Sequence, residues 1–168
     1  MNWLIDIFGN TSDQARAITA IFVAAVAITA VFINQWFLSR RARKEKLIEK
    51  IEETYTAISA AESLIGEVHL RIVAPLSFGE ENKPAAKAHF EALEKLSYCN
   101  MLASLYFKKL SADIENIEKE YLQSYITYVT AESLPEYMEV YKERKNPIDS
   151  HFKNLYMTLN RIMKGVMH

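Results

Sequence analysis

"AITAIFVAAVAITAVFINQWFLS", residues 17–39, is a stretch without a single charged side chain. Arg16 precedes it and Arg40 follows it, so 23 consecutive residues are uncharged. A helix of that length measures roughly 35 Å, which exceeds the roughly 30 Å thickness of a bilayer's hydrocarbon core. The core helix of a soluble protein would carry polar residues every three or four positions, and this stretch does not. The sequence therefore predicts a transmembrane helix over 17–39.

The residues that flank this stretch predict its orientation. A signal peptide would have a basic segment before a short apolar core, whereas here Asp6 and Asp13 precede a long one. Only one basic residue, Arg16, precedes the stretch, and six follow it closely: Arg40, Arg41, Arg43, Lys44, Lys46 and Lys50. Because basic residues are retained in the cytoplasm, we expect a cytoplasmic C-terminal part and an outward-facing tail over 1–16. The apolar start of that tail, "MNWLIDIF", is compatible with an interfacial foot and equally with a frayed end.

Small residues recur along one face of the predicted membrane helix. This alanine seam has spacings of three and four residues and consists of Ala17, Ala20, Ala24, Ala27, Val31 and Asn34. Small side chains let helices approach closely inside lipid, and an amide on the same face can hydrogen-bond to another copy. The seam predicts a homo-oligomer, although alanine is also common in membrane helices that do not associate.

The apolar repeat continues beyond the membrane. Its positions are Leu47, Ile51, Thr54, Ile58, Ala61, Ile65, Val68 and Ile72, a spacing of about 3.5 residues that is typical of a helix packing against other helices. With Pro75 as its end, the pattern predicts one helix from about Asp13 to Ala74, whose part over 40–74 is a basic juxtamembrane segment followed by a stalk or by the first helix of a bundle. A break near Ser39 fits the same pattern.

The remainder, 85–168, is predicted to complete an all-α cytoplasmic domain of about five helices. After the loop "PLSFGEENKP" (75–84), helices are expected over 85–110, 112–132, 134–145 and 147–165. "SLPE" (133–136) has the pattern of a capping box, and the proline of "NPID" (146–149) suits the first turn of a further helix. The part from Leu96 to Phe107 is apolar almost all round, which is typical of a central buried helix. No segment shows the alternation of a strand.

Composition excludes several functions. Residues 47–141 contain 8 basic and 16 acidic residues, so we expect no general nucleic-acid binding, which needs a broad basic surface. Cys99 is the only cysteine, and no phosphate loop, nucleophile elbow or metal-binding histidine pair is present. The sequence therefore predicts no enzyme, no catalytic residue, no cofactor and no metal. "EVHLR" (67–71) is interpreted as a solvated face.

The C-terminal segment is the candidate ligand site. Residues 142–168 contain six basic and two acidic residues. The predicted ligand-binding residues are Arg144, Lys145, His151, Lys153 and Arg161, which suit a phosphate-bearing ligand, with backbone donors of a helix that starts near Asn146. Alternatively, this basic segment is a solubilising face or one attracted to anionic lipid. The nine tyrosines, all beyond residue 54, suit nucleobase stacking or, at helical spacing, the rims of a core.

A single N-terminal membrane helix, a basic stop and a helical cytoplasmic domain without an active site resemble the membrane-anchored effectors of type III CRISPR systems in bacterial antiviral defence. The resemblance lies in the 17–46 segment and the helical remainder, and no functional residue is carried over from it. It implies a bacterial inner-membrane protein that oligomerises, binds cyclic oligoadenylate and perturbs the membrane. The alternative from another class is a non-enzymatic scaffold that recruits a protein partner.

Overall fold

The computed structural model describes residues 11–78 and 83–167, and helices are the only regular secondary structure within these ranges. The helices are α1 (Thr11–Phe78), α2 (Lys83–Tyr106), a short 3-10 helix (Lys108–Leu110), α3 (Ser111–Thr130) and α4 (Leu134–Met167). The prediction of an all-α fold is confirmed over these ranges. The predicted interfacial foot and the centre of the predicted loop lie outside the described residues.

The chain divides into two compact units, Met1–Lys46 and Leu47–His168. In the described part of the first unit, every side chain from Ile18 to Lys46 is exposed. Phe22, for example, is 70% exposed. By length and composition, this helix is long and apolar enough to cross a membrane, and an apolar surface of this kind is unfavourable in water.

The second unit is a helical bundle, and α1 supplies one of its walls. The predicted repeat on α1 is confirmed by burial, since Leu47 is half-buried and the other seven positions are buried: Ile51, Thr54, Ile58, Ala61, Ile65, Val68 and Ile72. The larger core cluster joins Ile51, Ile58, Ala61 and Ile65 to apolar side chains of α2, α3 and α4. Val68 and Ile72 belong to a second, smaller cluster. Because other helices of this chain cover that face, the seven buried positions are not exposed to a second copy.

Two prolines lie inside helices where the sequence predicted helix boundaries. α1 continues past Pro75 to Phe78, and α4 continues through Pro147. The predicted helices 134–145 and 147–165 are therefore one, and the described residues form four α-helices instead of about five in the cytoplasmic part. A proline removes one helical hydrogen bond, but buried contacts on both sides of Pro147, at Tyr137 and Ile148, hold the helix together.

The start of α4 has the predicted capping box in modified form. The backbone N–H of Glu136 donates to Ser133 Oγ at 3.5 Å. The Glu136 carboxylate accepts from the backbone N–H of Glu132 at 3.0 Å, one residue before the position that the motif predicts. Both bonds satisfy backbone donors at the helix start, which fixes where α4 begins.

The expectation that the part from Leu96 to Phe107 is a central helix buried all round is wrong. Leu96, Cys99, Leu102 and Ala103 are buried, but Met101 and Leu105 are exposed. One side of α2 therefore packs into the bundle, and the other carries apolar side chains to the surface.

Candidate functional site

Two of the five predicted ligand-binding residues connect α4 to α3. Arg144 lies 3.9 Å from the Glu120 carboxylate, and His151 Nδ1 lies 3.1 Å from Asp113 Oδ1. Both basic groups thus face carboxylates of their own bundle. A phosphate that bound them would have to compete with these contacts.

Lys153 and Arg161 point elsewhere. Both are exposed, and in the described ranges neither makes an ion pair. At about 100° per residue, they lie roughly 140° to either side of the buried Ile148. The structure therefore does not bring the five predicted residues together on one face, and anion binding by this set stays a prediction.

The fifth residue, Lys145, lines a cleft between α1 and α4 of about 190 Å³. The α1 side contributes four residues and the α4 side five: Glu62, Ile65, Gly66 and His69, then Tyr141, Lys145, Ile148, Asp149 and Phe152. Both helices present apolar side chains at its base and polar ones around them. Within the bundle, this cleft combines a cavity with several titratable groups, which makes it the candidate functional site.

His69 is a half-buried polar group of the cleft. Its Nδ1 is 2.8 Å from the Tyr137 hydroxyl, and its ring lies edge-on to Tyr128 and Tyr141 with centroids 4.7 Å away in both cases. Burial, and secondarily the charge of Lys145, lowers the pKa of His69 to about 4. The imidazole is therefore neutral at pH 7.

This placement corrects the interpretation of "EVHLR" as a solvated face. Glu67 and Arg71 do form a partly exposed pair, with Arg71 Nε donating to Glu67 Oε1 at 2.8 Å. His69, two positions from each, points inward instead. Residues two apart on a helix lie on different sides, so the sequence already showed that His69 cannot share a side with Glu67 and Arg71. The side on which His69 lies follows from the buried repeat of Ile65, Val68 and Ile72, which passes next to it.

The charges of the cleft are mixed. Glu62 accepts a hydrogen bond from the Tyr156 hydroxyl at 2.6 Å. Lys145 Nζ lies over the Tyr141 ring, 5.4 Å from its centroid, and its pKa is raised first by Tyr141 and then by Asp149. With His69 neutral, the lining residues carry two carboxylates and one ammonium, a formal charge of about −1. A cleft of this charge does not favour an anion.

A second histidine lies deeper in the bundle. His89 is buried and stacked on Tyr125, with ring centroids 3.5 Å apart, and its Nδ1 is 3.0 Å from the Tyr121 hydroxyl. Burial lowers its pKa. Tyr121, Tyr128 and Tyr137 are fully buried, so these tyrosines belong to the core. Among the described residues, no group of three or more potential ligands could hold a metal ion.

No family model, curated protein or solved structure matches this chain.

Proposed function

We propose that this chain is a membrane-anchored sensor of a small ligand. Residues 17–39 span the bacterial inner membrane, the bundle lies in the cytoplasm, and the cleft between α1 and α4 receives the ligand. One observation carries the proposal: α1, which contains the apolar segment, also supplies Glu62, Gly66 and His69 to the cleft. A ligand in the cleft would thus contact the same helix that enters the membrane.

The size of the cleft limits the ligand. Its volume of about 190 Å³ corresponds to roughly six water molecules at about 30 Å³ each. A small metabolite or one group of a larger molecule fits, and a whole cyclic oligonucleotide does not. The anionic cyclic nucleotide implied by the resemblance would need exposed residues such as Lys153 and Arg161 from several copies of a homo-oligomer.

The proposed response is a change in the membrane segment. A ligand shifts a protein only if it binds one arrangement better than another, and such coupling typically amounts to about 1–3 kcal/mol. In an antiviral effector, the consequence of this shift would be leakage of the membrane.

The test fills the cleft without a ligand. Gly66→Leu places a side chain where an added Cβ meets nothing within 4 Å, and Gly165→Leu is the matched control in α4, with equally open surroundings. The readout is the rate at which a membrane-impermeant maleimide labels the thiol of Ser39→Cys from the cytoplasmic side. Cys99 should not interfere, because it is 1% exposed and burial raises its pKa to about 12.

We expect Gly66→Leu to change the labelling rate severalfold and Gly165→Leu to leave it unchanged. Equal rates in all three proteins, with the bundle still folded, would mean that the cleft does not communicate with the membrane segment. The sensor proposal would then be abandoned.

The scaffold alternative is favoured by a different observation. Phe90 and Leu105 of α2 and Ile126 of α3 are about two-thirds exposed, at 69%, 66% and 65%. Exposed apolar side chains of this size are common at protein interfaces. Replacing Phe90 and Ile126 with serine should abolish co-purification of a protein partner under the scaffold hypothesis, and should leave the maleimide response intact under the sensor hypothesis.

A further inference from the structure

We infer that the cleft between α1 and α4 binds a small protonated amine with an apolar body. This inference rests on the proposed sensor function and specifies its ligand. The juxtaposition that carries it is a pair of carboxylates, without an ion-pair partner among the residues that the structure describes, in one cavity with three buried apolar side chains and a glycine.

The carboxylates are Glu62 and Asp149, one from each wall. In the described part of the chain neither has a cationic group within ion-pair distance. Glu62 accepts the Tyr156 O–H through Oε2, which leaves the acceptor capacity of Oε1. Lys145 is the nearby cation, but its ammonium lies over the Tyr141 ring. Each carboxylate can therefore accept a hydrogen bond from a ligand ammonium, and charge-assisted bonds of this kind are the stronger ones.

Net charge selects between ligands. With one ammonium and two carboxylates in the lining and His69 neutral because of its lowered pKa, a bound cation brings the site to neutrality. A bound carboxylate or phosphate would add negative charge to a site that already has an excess of it.

The apolar base fits an aliphatic body. Ile65, Ile148 and Phe152 are at most 4% exposed, and all three line the cleft. Covering them transfers apolar ligand surface from water to protein, at about 25 cal/mol per Å². With about 190 Å³ available, a branched chain of a few carbons fits.

Gly66 lines the cavity on the α1 side. It lies in the interior of α1, where glycine is about 1 kcal/mol less favourable than alanine. A Cβ built at Gly66 would meet no atom within 4 Å, so packing of the bundle does not require glycine there. Gly66→Ala should therefore stabilise the helix and at the same time place a methyl group in the cleft.

The experiment is calorimetric titration of the full chain in detergent micelles, with empty micelles as the blank. The probes share one branched body and differ in charge: isoamylammonium, isoamyl alcohol and isovalerate. We expect saturable binding of isoamylammonium, one per chain, and at least tenfold weaker binding of the alcohol and of the carboxylate. Glu62→Gln together with Asp149→Asn should weaken amine binding at least tenfold.

Two glycine variants separate binding from stability. Gly66→Ala should weaken amine binding at least fivefold although it stabilises the bundle, and Gly165→Ala, outside the cleft, should bind like the parent. Equal binding of isovalerate and isoamylammonium, absence of saturable amine binding, or parental affinity in Gly66→Ala would each overturn the inference. None of these outcomes alters the maleimide response of Gly66→Leu, so the sensor function can fail or survive independently.

Discussion

Acidification should destabilise the bundle through His69. Its pKa is about 4 in the folded chain, compared with an ordinary value of 6.5. The unfolded chain therefore takes up the proton first as the pH falls, which favours unfolding. The contribution of neutral His69 to stability is complete above about pH 6.5 and is lost progressively as the pH falls through about 4.

The size of the effect follows from the two pKa values. Between pH 7.5 and 5.0, the free energy of unfolding should fall by about 2 kcal/mol, and below pH 4 the full loss is about 3 kcal/mol. A domain of this size is typically stable by about 5–15 kcal/mol. The loss at pH 5.0 is therefore large enough to measure without unfolding the protein outright.

The assay is urea unfolding of the full chain in detergent, followed by the accessibility of the Cys99 thiol, which is 1% exposed in the bundle. A disulfide reagent that reacts at acidic pH reports the labelled fraction. The control replaces both His69 and Tyr137 with phenylalanine, because removing both hydrogen-bond partners leaves neither unsatisfied. The other groups that face His69, namely Tyr128, Tyr141, Lys145 and the cleft carboxylates, are retained, so the difference between the two proteins isolates His69. Equal losses in both between pH 7.5 and 5.0 would refute the reasoning.

Three further predictions concern the membrane topology, the alanine seam and helix α4. A reporter fused after His168 should be active only in its cytoplasmic form, given the six-to-one excess of basic residues that follow the apolar stretch; activity outside the cytoplasm would reverse the topology. Ala24→Leu should weaken self-association in crosslinking experiments and Ala25→Leu, off the seam, should matter less; parental behaviour of both would remove the seam from any interface. Pro147→Ala should raise stability against urea by about 1–3 kcal/mol, because it restores the hydrogen bond to the Glu143 carbonyl; destabilisation would show that α4 is broken there, as the sequence predicted.

The buried face of α1 could be predicted from the sequence because it depends on period alone. Seven positions from Ile51 to Ile72 follow the apolar repeat, and all seven are buried. A heptad spacing specifies which side of a helix meets its neighbours, whatever those neighbours are. The pattern does not tell whether the neighbours belong to the same chain, so a stalk and a bundle were equally compatible with it.

The helix boundaries at proline could not be predicted in the same way. "NPID" has the local signature of a helix start, and the signature is correct as a propensity. Whether α4 stops there depends on packing that residues distant in sequence provide, and tertiary contacts routinely outweigh a single unfavourable residue. The exposed apolar side of α2 could not be predicted for a similar reason. The composition around Leu105, which is exposed, shows that the segment is hydrophobic but not which of its sides packs into the bundle.

The predicted ligand site shows most clearly what the sequence does not determine. The density of charge along a chain does not tell in which direction each charged side chain points. On α4, the buried stripe through Tyr137, Ile148 and Phe152 divides the basic residues into those that flank it and those that face away. Arg144 contacts a carboxylate of α3, a partner that no local pattern could predict.

The cleft, by contrast, could have been predicted in part from the sequence. Gly66 and His69 are three residues apart, hence on one side of α1, next to the stripe of Ile65. A glycine in the interior of a helix, next to a histidine at the edge of the apolar face, indicates a gap in side-chain packing. In a bundle without a catalytic motif, such a gap can accommodate a ligand.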